Sequence, residues 1–168
     1  MSAIVRIPVG VVVERLKAES AWIDFTWRPS AVLPGAPEAT PWTMLSEAAD
    51  RATFYAGTAN VELHPSETSN YRDNLSTGEP KLWVVLRQTG AEPPMTVVRV
   101  TADGAEAEGF TAAGDDIVEH VPMPKTIWDT IDAFIAEHHV ERPFYKRKQD
   151  RAHLEAPRGR GRPAEDKQ

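Results

Sequence analysis

No cysteine occurs in this 168-residue chain. Its absence excludes disulfides, Cys-ligated zinc, iron–sulfur ligation and a thiol nucleophile together. Long apolar runs are missing as well: none approaches the roughly 20 residues that a membrane-crossing helix needs. The run Val9-Gly10-Val11-Val12-Val13 is broken upstream by Arg6 and Pro8, so it does not suit a secretory leader either. A cytoplasmic protein without membrane insertion is expected. Also absent are the G-x-G-x-x-G dinucleotide loop, the G-x-x-x-x-G-K-[ST] phosphate loop and the G-x-S-x-G serine elbow. A nucleotide cradle or a serine hydrolase therefore has no support, and no cofactor or metal is expected.

Positive charge is scarce through most of the chain. Up to residue 140 there are 10 Lys and Arg against 20 Asp and Glu, a net of −10; beyond it 9 stand against 5, a net of +4, which together give the formal charge of −6. An acidic body cannot line up phosphate contacts, so nucleic acid is not the expected partner of the folded part.

What is present suits one domain over residues 1–150, since chains of this size most often form a single core, followed by a disordered basic tail over 151–168. Apolar residues alternate over 5–13 (Val5, Ile7, Val9, Val11, Val13), which predicts a half-buried strand. A hairpin partner follows over 22–32, with Ile23, Phe25 and Trp27 on one face. The proline-rich stretch 33–43 predicts an ordered loop anchored by Trp42, Met44 and Leu45. A third strand spans 54–63, with Tyr55, Val61 and Leu63 on one face and a bulge at Gly57. Ser66-Glu67 resembles the cap of a short helix that ends before Gly78. Residues 82–86 are apolar on both faces, as in a central strand, and 97–100 pair with them. Asp103-Gly104-Ala105-Glu106 has capping-box spacing for a second short helix, and 117–121 make the last strand. The main helix runs from Pro124 to His139, with Ile127, Ile131, Phe134 and Ile135 at helical spacing. The expected fold is α+β: a mostly antiparallel sheet of about six strands, one main C-terminal helix and two short ones.

Chemistry is sparse. Adjacent His138 and His139 point about 100° apart on a helix, which is not the i, i+4 geometry of helical metal ligands; packing and a helix C-terminal role are expected for them. His64 and Glu67 flank Pro65 at a corner, which favours turn geometry over a shared helix face. The five tryptophans serve the core, with any exposed subset marking a partner surface. In the tail, Arg160-Gly161-Arg162-Pro163 matches the core of an AT-hook, which inserts arginines into the minor groove. The acidic Glu165 and Asp166 follow where such motifs carry basic flanks.

Several strings share a further pattern: Trp27-Arg28-Pro29, Ala31-Val32-Leu33-Pro34-Gly35, Tyr55-Ala56-Gly57-Thr58, Glu62-Leu63-His64, Asn70-Tyr71-Arg72, Trp83-Val84-Val85-Leu86-Arg87, His138-His139-Val140-Glu141 and Pro143-Phe144-Tyr145-Lys146-Arg147-Lys148. In these the chain resembles the proteobacterial family catalogued as domain of unknown function 3305, over about residues 8–151. The resemblance implies genes beside those of molybdenum formate dehydrogenases and their maturation proteins. Its shared polar positions, Arg28, His64, Glu67, Arg72, Arg87, His138, His139, Lys146, Arg147 and Lys148, are candidate interaction residues. The expected function is a non-catalytic accessory factor in assembly or maturation of a molybdenum-dependent oxidoreductase, whose partner is that enzyme or its maturation factors. Two alternatives stand beside it: an enzyme binding a small molecule or cofactor through His64, Glu67 and nearby arginines, and a DNA-associated regulator acting through Arg160 and Arg162.

Overall fold

A computed structural model of the chain describes residues 3–112 and 114–139. The elements follow in the order β1 (Val5–Lys17), β2 (Phe25–Pro34), β3 (Thr43–Glu47), β4 (Arg51–Leu63), α1 (Thr68–Leu75), β5 (Lys81–Gln88), β6 (Met95–Thr101), α2 (Gly104–Ala112), β7 (Ile117–Pro122) and α3 (Lys125–His138), with a 3-10 turn at Pro65–Glu67 leading into α1. All seven strands join one sheet in the order β2-β1-β4-β6-β5-β7, with β3 also on β4. Its edges, β2 and β7, lie against each other, so the sheet rolls nearly into a barrel.

The alternation of β1 sets the inside. Val9, Val11 and Val13 are fully buried and form one core with Val61 and Leu63 of β4, Leu82, Val84 and Leu86 of β5, and Val100 of β6. Val85, on the opposite face of β5, is buried too, where α2 packs over β5 and β7. At the end where β1 begins and β4, β6 and β7 finish, α1 and α3 complete the core with Tyr71, Ile127, Ile131 and Phe134. At the other end, where β1 finishes, the described residues place no helix, and side chains of the strands and of two connecting loops meet there.

Several expectations are corrected. The sheet has seven strands and is mixed, because β4 and β6 run parallel through Val61 and Val100. Its extra strand is β3, which starts at Thr43, the last residue of the stretch read as loop, and runs on past it; Met44 and Leu45 do not anchor that loop but stand exposed. The bulge at Gly57 is present: Val11 faces Gly57 and Val12 faces Tyr55, so Ala56 is the extra residue. One inserted residue reverses the alternation. Tyr55 therefore lies on the outer face, opposite Val61 and Leu63, and Phe54 turns inward. Ser66 sits in the 3-10 turn and Glu67 takes the α1 cap position without a side-chain cap bond. The three helices divide the covering work between a barrel end and a barrel face, so α3, although the longest at 14 residues, is not a main helix with two accessories.

Candidate functional site: an aromatic cavity at the open end of the barrel

Because β1 keeps its alternation past Val13, Arg15 is the next residue on the inner face. Its cross-strand partner on β2 is Trp27, and Phe25 faces Lys17 one pair further on. The β4 bulge brings Phe54 opposite Val13. Trp42 closes the group from the loop before β3, its backbone N–H donating to the Tyr55 carbonyl. With φ at 70°, Trp42 occupies the left-handed region, which for a bulky residue costs about 1–3 kcal/mol. In that conformation its indole meets Trp27 edge-on at 6.0 Å and Phe54 at 6.0 Å. Residues Glu92, Pro93 and Pro94 of the β5–β6 connection complete a cavity of about 410 Å³.

Arg15 is the charged centre of this cavity. Its guanidinium carbon lies 4.4 Å from the Phe25 ring centre, 5.3 Å from Phe54 and 6.0 Å from Trp27. Cations favour such ring faces. No described residue accepts a hydrogen bond from the guanidinium. Around the mouth the surface is apolar: Trp22 is 92% exposed in the β1–β2 connection, and Ile23, Phe25, Met44 and Leu45 stand exposed with it.

Those of the residues singled out from sequence that are described lie elsewhere, each engaged with a neighbour. Arg28 faces its cross-strand neighbour Glu14, which also lies 3.7 Å from Arg51. His64 meets Glu62 at 3.2 Å, and Arg6 and Arg99 approach the same carboxylate at 3.3 and 3.9 Å. Partial burial pushes the Glu62 carboxyl up, but the His64 hydrogen bond and the charges of Arg6 and Arg99 outweigh it and hold the group below its usual range. Glu67 accepts from Ser66 and Asn70, and Asn70 also donates to Asp103. The Glu67 backbone N–H donates to the His64 carbonyl at 2.9 Å, but no side-chain hydrogen bond joins the two among the described residues, and neither lines the cavity described above. Arg72 can only donate, so His139 accepts through Nε2 and its proton sits on Nδ1, facing Thr68 Oγ1 at 2.9 Å. His138 packs on Phe134 at 4.5 Å between ring centres, the packing role expected of it. Arg87 grips Asp116 through two bonds of 2.8 and 2.7 Å, which hold the Asp116 carboxyl down and push the guanidinium up. Tyr71 receives the His64 backbone N–H, and burial pushes its hydroxyl up to about 12. Lys146, Arg147, Lys148, Arg160 and Arg162 lie outside the described residues.

Among the described residues of the candidate set, Arg72 and His139 meet through their side chains and His64 and Glu67 through a backbone bond; the cavity residues are not in that set. One signal for them exists in the sequence: Arg15 falls in phase with Val5, Ile7, Val9, Val11 and Val13, which places a cation in a core register. Among the described residues no cluster of three or more His, Cys, Asp or Glu is placed to hold a metal, and no helix is long and apolar enough to cross a membrane. No curated protein and no solved structure matches the chain. A family model described as protein of unknown function (DUF3305) matches residues 8–148. With most of its length covered by that match, the chain belongs to the DUF3305 family.

Proposed function

We propose that the protein is a non-catalytic accessory factor that helps assemble or mature a molybdenum-dependent oxidoreductase of the formate dehydrogenase type, docking on it through the rim of the barrel mouth. The oxidoreductase partner is what the sequence resemblance implies. The observation that carries docking over catalysis is the exposure of Trp22, Ile23, Phe25, Met44 and Leu45 at one end of the molecule. Large apolar side chains gathered at a surface mark contact with another protein, and aromatic residues supply most of the energy of such contacts. β3 adds to this surface: all five of its residues are exposed and among the described strands it pairs with β4 alone, which leaves backbone groups for a partner segment. His64 and Glu67, by contrast, are each engaged with other neighbours, which favours this reading over an enzyme built on that pair.

Deletion of the gene should lower active holoenzyme while transcript of the oxidoreductase holds, and a W22S/L45S variant should fail to restore it. Formate oxidation that stays at the parental level in the deletion strain sinks the proposal. Restoration by H64A/E67A is expected, and failure of that variant to restore activity while still folded would favour the enzyme reading.

A further inference from the structure

We infer that the cavity at the barrel mouth is a binding site for a small ligand with a planar aromatic ring and one anionic substituent, a carboxylate or a phosphate. Arg15 takes the anion, and Trp27, Trp42 and Phe54 take the ring. A guanidinium offers five N–H donors in a planar fork suited to either oxyanion. Here the ring faces keep it in place, yet no described residue accepts any of those donors. The volume of about 410 Å³ falls among small-molecule sites, which run from about 300 to 1,000 Å³ and favour the mouths of barrels. Three aromatic walls select for a ring and against a bare inorganic anion. Two of them, Trp27 and Trp42, meet edge-on, and the left-handed backbone of Trp42 shows that this wall is held against local preference.

Glu92 tests the logic. It lines the same cavity, exposed and without a hydrogen bond to Arg15, so its carboxylate opposes an incoming anion. Of the rim residues Phe25 alone lines the cavity, and Trp22 and Leu45 do not, so the site can be tested separately from the oxidoreductase proposal.

The test is titration calorimetry on the full chain with 1-naphthoate and 1-naphthyl phosphate, with neutral 1-naphthol and inorganic phosphate as controls. At least one naphthyl anion should bind about tenfold tighter than naphthol, the scale of one charge-assisted pairing, and inorganic phosphate should bind far more weakly than either. Arg15→Gln should abolish the preference for the anion while leaving naphthol unchanged, and Glu92→Gln should tighten the anion alone. W22S/L45S should bind as the parent does. Which anion wins decides between a carboxylate and a phosphate ligand. Equal binding of naphthol and both anions, no heat from any naphthyl probe, or a folded Arg15→Gln that keeps the preference overturns the inference. Should Arg15→Gln not fold, Glu92→Gln decides, and an unchanged anion affinity there counts against the site.

Discussion

Single residues in this fold are fixed by what their neighbours would meet. A Cβ on Gly10 would lie 2.7 Å from Tyr55 Cε1 and 2.8 Å from its hydroxyl oxygen. The Tyr55 hydroxyl in turn donates to the Pro37 carbonyl, so a bare Gly10 lets one ring pin the proline-rich loop across β1. Gly10→Ala should destabilise by about 1–3 kcal/mol, the cost of overpacking a tight contact, read as a lower denaturant midpoint at unchanged slope. The Arg87–Asp116 pair makes a pH-dependent statement. The Asp116 carboxyl titrates lower in the folded chain than in the unfolded one. Its contribution is therefore present above the ordinary aspartate range of about 3.9 and is lost as pH falls through the depressed folded value. In Asp116→Asn the stability deficit relative to the parent should be seen near neutrality and shrink toward zero in acid; a deficit independent of pH would contradict the pairing.

At the scale of elements, what alternation and capping could announce is found where the sequence puts it. β1 is legible from its valines, α3 from its 3.6-residue period, and α2 from Asp103, whose Oδ1 accepts the Ala105 N–H at 2.9 Å and the Glu106 N–H at 3.4 Å. Half of that capping box is rerouted: Glu106 accepts from Thr101 Oγ1, which itself receives the Asp103 N–H. Asp103→Ala should cost about 1–2 kcal/mol, and hydrogen exchange should quicken first in α2. What could not be read depends on contacts distant in sequence. Gly57 announces a bulge but not its phase, and the inserted Ala56 moves Phe54 into the mouth and Tyr55 out of the core. β3 follows directly on a proline-rich stretch and has only five exposed residues, so nothing but its ladder with β4 marks it as a strand. Arg15 is in phase, yet the polar stretch Glu14 to Ser20 reads as a connector, so on the sequence the strand ends before the residue that matters at the site, whereas β1 runs on to Lys17. The described polar candidates from the family resemblance are engaged with neighbours that the sequence does not announce, since a cross-strand partner such as Glu14 for Arg28 is set by register alone.

The whole molecule separates its two ends. One is closed by α1 and α3 and carries the packing; the other is open, aromatic and exposed. Ile131 is fully buried at the closed end, and Ile131→Ala should cost about 2–5 kcal/mol, whereas W22S/L45S should change stability by no more than about 0.5 kcal/mol. The same division bears on the basic arm. The core of the described residues runs from Val9 to Phe134, and residues 151–168 hold few apolar side chains to bury, so a chain ended after Asp150 should keep the parental denaturant midpoint and slope. That chain retains Lys146, Arg147 and Lys148 but loses Arg160 and Arg162. Under the proposed docking, capture of the oxidoreductase should persist in it and weaken with salt, because a basic cluster would act through screened charge, while an apolar rim would supply a salt-insensitive part. Loss of capture in the shortened chain at unchanged stability would move the partner surface from the barrel mouth to the arm.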